Sequence, residues 1–310
     1  MNLLQLIEEY IKYRQTLGEN FQTNARVLRT YARFVGEKRN ANSAKTSEIK
    51  DFVDGDGPVT NSRRKRFDAL KGLYRYACSR GFIGRNPMPP EAPKLVPSLV
   101  PYIYEREEIR ALLRSPITYR YKTQSAPETT SAVLLLLYGT GLRVREAIAL
   151  DDDDVDLKDC VVTVRKTKFC KSRLVPFGKH LQRALRKYVK TRTKSSTDGS
   201  PFFTSRTGGR LNQSTFTKLF RRLCIHAGIT REDARYQPRL HDLRHTFAVH
   251  RLTTWYQQGA DVQRLLPKLS TYLGHVNISG TQVYLSMTPE LLRAAGNRFS
   301  RYAAEEMNHG

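Results

Sequence analysis

Apolar residues recur at spacings of three and four along most of the chain, which predicts a mainly helical fold. Leu3, Leu4, Ile7, Tyr10, Ile11 and Leu17 form one stripe over residues 2–17, and Gly18 follows as a stop. Val27, Leu28, Tyr31, Phe34 and Val35 mark a second helix starting near Thr23 and Asn24, and a short third runs from about Ser47 to Val53. A fourth, from Asn61 to Ser79, places Phe67, Leu70, Leu73, Tyr74 and Ala77 on its packing side. Its first turns hold Arg63, Arg64, Lys65 and Arg66, a basic end expected to be free. Gly81, Gly84 and the pair Asn86 and Pro87 break the pattern, and prolines continue at 87, 89, 90, 93, 97 and 101. The expected organisation is a helical domain over 1–86, a proline-rich extended linker over 87–102 and a second domain over 103–310.

The second domain opens with predicted helices from Glu105 to Arg114 and from Thr129 to Tyr138, the latter with the composition of a buried helix. Helical spacing returns near 179–191, 212–227, 242–257, 261–273 and 289–303. Val161 to Arg165 and Arg173 to Phe177 read as two short strands, with Phe202 and Phe203 as a candidate third. The fold class is therefore mainly α with one small antiparallel β-sheet.

Length and charge narrow the function. A chain of 310 residues exceeds what one hydrophobic core usually supports, so two domains are expected. There are 53 Lys and Arg against 29 Asp and Glu, a net charge of +24. Residues 1–100 hold 18 basic and 10 acidic residues and the remainder 35 and 19, so the excess covers both domains rather than a tail. Two folded basic units fit one polyanion, nucleic acid before a membrane surface. The longest apolar run, Ala132 to Tyr138, falls far short of the ~20 residues that span a bilayer. No signal-peptide order is visible at the N-terminus, so a cytoplasmic protein without membrane attachment is expected. Cys78, Cys160, Cys170 and Cys224 lack C-x-x-C spacing and read as packing thiols, without zinc or disulfides.

Four separated segments carry the candidate chemistry. They are Thr140-Gly141-Leu142-Arg143-Val144-Arg145-Glu146, then Lys168 between the two strands, then His241-Asp242-Leu243-Arg244-His245, then Leu273-Gly274-His275 followed by Tyr284. In this order they resemble the tyrosine recombinases, or phage integrases, among them Xer-like and transposon-encoded enzymes, over nearly the whole length. The family pattern is Arg, Lys, His-x-x-Arg, His, Tyr. Arg143, Lys168, His241, Arg244, His275 and Tyr284 fall on those positions, with Lys168 placed by counting back from Arg173-Leu174-Val175-Pro176.

Attack on a phosphodiester builds negative charge on non-bridging oxygens, so the site needs fixed positive donors. Arg143 and Arg244 can clamp phosphate through their planar forks. His241 and His275 can orient the phosphate and assist deprotonation, and Tyr284 needs a cationic neighbourhood to react. Glu146, one turn beyond Arg143, would hold that arginine in place. The resemblance implies a covalent 3′-phosphotyrosine, Lys168 as general acid for the leaving 5′-oxygen, and no ATP, metal or other cofactor. It also implies a core-binding (SAM-like) N-terminal domain and a catalytic domain forming a C-shaped clamp on duplex DNA, with Arg63 to Arg66 near a groove. Protomers that are monomers or dimers would assemble as a homotetramer on paired recombination sites and act through a Holliday junction. The job would be integration, excision or transposition of a mobile element, on nucleoid DNA. The amphipathic segment from Pro289 to Tyr302 is expected to dock on a neighbouring protomer.

Other readings stand beside these. His241 and His245 are four apart, as in a zinc pair, but Asp242 replaces the usual glutamate and no third ligand stands out. Asp151 to Asp154 contain metal-ligand types, but a solvated loop is the expected state. A type IB topoisomerase-like enzyme shares the phosphotyrosine chemistry, and a DNA-binding regulator could keep the fold without catalysis. The stretch from Gly259 to His275 is longer than the family spacing and contains Pro267, and Arg145 stands where a small residue is common.

Overall fold

Asn2 opens the first helix with a capping box: its side chain accepts from the Gln5 N–H at 2.8 Å, and the Gln5 side chain accepts from the Asn2 N–H at 3.1 Å. This computed structural model describes the chain except residues 97–99, 120–122, 166–171, 193–199, 232–235, 276, 287–292, 294–295 and 297–310. Two units result, Met1–Ser98 and Leu99–Gly310. Among the described residues no helix is long and apolar enough to cross a membrane.

In the first unit, α1 (Leu3–Thr16), α2 (Gln22–Val35), α3 (Thr46–Asp54) and α4 (Asn61–Ser79) enclose Leu6, Ile7, Leu28, Tyr31, Ile49, Leu70, Leu73 and Tyr74. The hydroxyls of Tyr31 and Tyr74, buried from opposite helices, satisfy each other at 2.7 Å. Gly72 lies inside α4, where glycine costs about 1 kcal/mol relative to alanine. Close packing explains it, since a Cβ there would lie 2.5 Å from the Tyr10 hydroxyl oxygen on α1.

The proline-rich segment does not leave this unit at residue 86. Met88 and Ala92 pack against the core, and the Asn61 side chain bonds Val96 in both directions, to its carbonyl at 3.1 Å and from its N–H at 2.8 Å. An extended proline-rich strand has no internal hydrogen bonds, so a side-chain amide supplies them. The basic end of α4 is also less free than its sequence suggests. Arg63 donates to the Asp54 carbonyl at 3.1 Å, Arg64 pairs with Asp68 at 3.0 Å and Arg66 donates to the Phe52 carbonyl at 3.0 Å, while Lys65 is exposed.

The second unit is built on α6 (Pro127–Thr140), buried on most sides by α5 (Arg106–Thr118), α8 (Lys179–Thr191) and α10 (Asp242–Gln257). After α6 comes a short α7 (Val144–Ile148), and α9 (Gln213–His226) packs on α5 and α7. The sheet is antiparallel in the order β1 (Val155–Asp156), β2 (Val161–Val164), β3 (Arg173–Pro176), with Val162 opposite both Val155 and Val175. The mainly helical expectation therefore holds, but the third strand is β1 and not Phe202 and Phe203. Those two rings are both buried and meet edge to face at 4.9 Å, whereas consecutive strand residues point to opposite faces. Pro267 does not break α11 (Val262–Leu273), which leads through Gly274 to a short α12 (Ser279–Gln282) and a 3-10 turn over Val283–Ser286.

Candidate active site

Two helix ends organise the site, and each turns on a glycine. Gly141 closes α6 in the left-handed conformation at φ +64°, where a Cβ would also lie 2.5 Å from the Phe247 ring. Gly274 closes α11 at φ +71°: its N–H bonds the Thr271 carbonyl at 3.0 Å and the His275 N–H bonds the Ser270 carbonyl at 3.0 Å. That arrangement satisfies two of the terminal carbonyls of α11. The next three each accept from a different arginine. Arg173 Nε donates to Tyr272 O at 3.1 Å, Arg244 Nη2 to Leu273 O at 2.7 Å and Arg143 Nη2 to Gly274 O at 3.1 Å. The negative end of a helix macrodipole suits such cations. Arg244 Nη1 also reaches Gly141 O at 2.7 Å, so one guanidinium ties both helix ends together.

Glu146 supplies the counter-charge. It accepts from Arg173 Nη1 and Nη2 at 3.0 and 2.8 Å, from Arg143 Nη1 at 2.9 Å and from the Arg143 backbone N–H at 2.9 Å. Burial works against its ionisation, but Arg173 and Arg143 together hold its pKa at about 2. Two guanidiniums thus bond one carboxylate while Arg244 only feels its charge, and the cluster keeps excess positive charge. Arg244 is 2% exposed, while the Arg143 side chain is 40% exposed and open to a ligand. Burial, with repulsion from Arg143 behind it, lowers the Arg244 pKa to about 10, still well above neutrality.

His241 stands at the N-cap position of α10 and is exposed; His245, one turn on, meets it edge to face at 4.9 Å. The Tyr284 ring is buried, 5.5 Å from the ring of His245 and 6.1 Å from that of His275. Burial raises the phenol's pKa, opposed by its interaction with Arg244 and by the charge of Arg143. Burial and then the surrounding charges bring His275 down to about 4, and burial with the neighbouring His241 does the same to His245. Both imidazoles are therefore neutral at pH 7, and His245 Nδ1 is buried without a hydrogen-bond partner among the described residues.

Arg143, Glu146, His241, Arg244, His275 and Tyr284 thus lie near one another in the second unit. Lys168 lies outside the described residues. Arg63 to Arg66 belong to the first unit. Arg173 is a member that motif reading missed, having served there only as a register mark for Lys168. The signal available was an arginine two positions before the core residue Val175, and so on the same face of its strand. Asp151, Asp152 and Asp154 are each paired with an arginine, Arg210, Arg192 and Arg165 respectively. Among the described residues no three His, Cys, Asp or Glu side chains gather as metal ligands.

A phenol buried beside fixed guanidiniums, on a helical domain with a small sheet, is an arrangement suited to the class of enzymes that exchange phosphodiesters through tyrosine. Comparison with known proteins bears on which one. The phage integrase family matches residues 104–290. The Sinorhizobium fredii (strain NBRC 101917 / NGR234) protein y4rE is 35% identical over 94% of both chains. Tyrosine recombinase XerA of Thermococcus kodakarensis is 30% identical, again over 94% of both. Among solved structures, the Tn1549 transposon integrase in complex with a circular intermediate DNA superposes with a TM-score of 0.72. It covers 96% of this chain and 99% of that one at 20% identity, a likeness of fold. The chain belongs to the phage integrase family: it is a tyrosine-type DNA strand transferase of site-specific recombination.

Proposed function

We propose that Tyr284 is the nucleophile and that Arg143, Arg244, His241 and His275 form the phosphate site around it. The observation that carries this reading is the buried Tyr284 ring beside His275, in the field of Arg244 and Arg143. Because burial keeps the phenol protonated at neutral pH, its proton must leave during the attack, and His241 and His275 are uncharged acceptors. The phenolic oxygen bonds to phosphorus, the bond from phosphorus to the 5′-oxygen breaks, and that oxygen takes a proton from Lys168. The product is a 3′-phosphotyrosine and a 5′-hydroxyl. Attack by a 5′-hydroxyl of another strand reverses the step on a new partner. Bond energy is conserved in the ester link, so no ATP is needed. Arg173 and Glu146 hold Arg143 in register.

The substrate is a duplex recombination site held mainly through its phosphates, so binding falls steeply with salt. The relatives of similar fold support this partner, including the lambda integrase dimer bound to a COC′ core site. The first unit is the core-binding domain, with Lys65 and the end of α4 at the DNA, and the linker lies beyond its packed proline segment. The enzyme works in the cytoplasm on nucleoid DNA, moving or resolving a mobile element. Four copies pair two sites, held by the segment from Pro289 to Tyr302. Deleting residues after 288 should then abolish tetramers while sparing single-site binding, as read by native gels and sedimentation. Unchanged assembly rejects that role.

The central test is a nicked suicide substrate carrying the element's end sequence. The expected product is a denaturant-resistant protein–DNA adduct that peptide mapping places on Tyr284. Absence of any adduct favours a regulator, and relaxation of plasmid lacking the site favours a topoisomerase.

A further inference from the structure

The environment of His275 contains a second hydroxyl side chain that no step above uses. Thr281 is fully buried, and its Oγ1 lies 2.7 Å from His275 Nδ1. It sits on α12, one turn before Tyr284, and its own N–H bonds the Ile278 carbonyl at 2.8 Å. The backbone of α12 approaches the imidazole closely, since a Cβ at Gly280 would lie 3.4 Å from both Cγ and Nδ1 of His275. The His275 backbone is fixed separately by the turn that ends α11.

A neutral imidazole has one donor and one acceptor nitrogen, and the partner of one decides what the other offers. A threonine hydroxyl can donate or accept, so it can hold Nδ1 in either protonation state. We propose that Thr281 is a positioning residue for strand cleavage: it holds His275 Nδ1, leaves Nε2 for the phosphate, and ties that alignment to the segment bearing Tyr284. Thr281 and Tyr284 share one short stretch, so the imidazole is aligned only while the nucleophile's own segment is in place. Withdrawing that segment releases both groups at once, and a half-assembled site is silent.

The proposal rests on the reading of His275 as a phosphate-site residue, and the experiment separates the two. Single-turnover cleavage of the suicide substrate is measured at saturating protein for Thr281→Val, Thr281→Ser, His275→Ala and the double variant Thr281→Val/His275→Ala. DNA affinity and Tm are recorded for each. Thr281→Val is expected to slow cleavage by about 10- to 100-fold, the scale of a misplaced catalytic group, with affinity unchanged. Thr281→Ser should recover activity to within a few-fold of the parent. The double variant should be no slower than His275→Ala, because Thr281 acts through that ring. A Thr281→Val enzyme as fast as the parent overturns the proposal, as does a further loss in the double variant or a serine variant no better than valine. A fully active His275→Ala enzyme overturns the reading of His275 itself. If valine destabilises the fold, the serine variant and the comparison within the His275→Ala background still decide the matter.

Discussion

Arg244→Ala is expected to slow single-turnover strand cleavage by at least ~10²–10³-fold, the usual loss when one preorganised donor to a developing oxyanion is removed. The structure gives two reasons for so large an effect. The guanidinium is 2% exposed and bridges Gly141 O and Leu273 O at 2.7 Å each, so it cannot be replaced by water without rearrangement. It is also the leading cationic influence on Tyr284, so its removal lets burial raise the phenol's pKa further. Leaving two buried carbonyls unpaired adds a stability loss of roughly 1–3 kcal/mol for each. Arg244→Lys separates charge from geometry: it keeps the cation but loses the fork, and should recover part of the stability and little of the rate. Quench-flow cleavage and denaturant unfolding measure the two effects. An alanine variant that cleaves at the parent rate would remove Arg244 from the site.

Glu146→Gln is the second large change, and its signature is a pH dependence. In the folded protein the carboxyl titrates near 2, against about 4.5 without its partners. A depressed acid contributes stability that is fully present above the unfolded pKa and disappears as pH falls through the folded one. The contribution, on the order of 3 kcal/mol for a side chain 12% exposed, is therefore present at pH 7 and lost between about 4.5 and 2. The glutamine variant should be less stable by about that amount at pH 7, and the gap should close across that window. It leaves Arg173 and Arg143 without a counter-charge, so phosphate affinity should rise while cleavage slows from misalignment of Arg143. Urea titrations at pH 7 and pH 3 read the first effect, and a gap unchanged with pH would refute the assigned ionisation.

Helices were the most legible part of the sequence, because a stripe such as Phe67, Leu70, Leu73, Tyr74 and Ala77 repeats over enough turns to fix its limits. α4 runs from Asn61 to Ser79 as its pattern predicts. Short elements carry too few residues for periodicity. β1 has two, and Phe202 and Phe203 imitate a strand by being apolar while lying in a loop that turns both inward. What the proline-rich segment packs against is illegible for a related reason: prolines announce extended backbone but not what that backbone lies against, and Asn61 sits far back in the chain from Val96. In the site, residues spaced in known motifs were legible and the residues that support them were not. Arg173, Thr281 and His245 depend on partners 27, 6 and 39 positions away, as with Arg173 and Glu146, Thr281 and His275, and His245 and Tyr284. Local sequence cannot display such pairs.

The three arginines are seated on main-chain oxygens of Tyr272, Leu273 and Gly274. Every amino acid carries that oxygen, so exchanging a side chain at Tyr272 or Leu273 alters packing but cannot delete the acceptor. The cradle is thereby insulated from genetic drift along the rest of α11, and a lineage could rewrite most of that helix while the guanidiniums stayed put. Its vulnerable point is the hinge glycine at 274, where an added methyl would strike the Arg173 guanidinium at 2.9 Å.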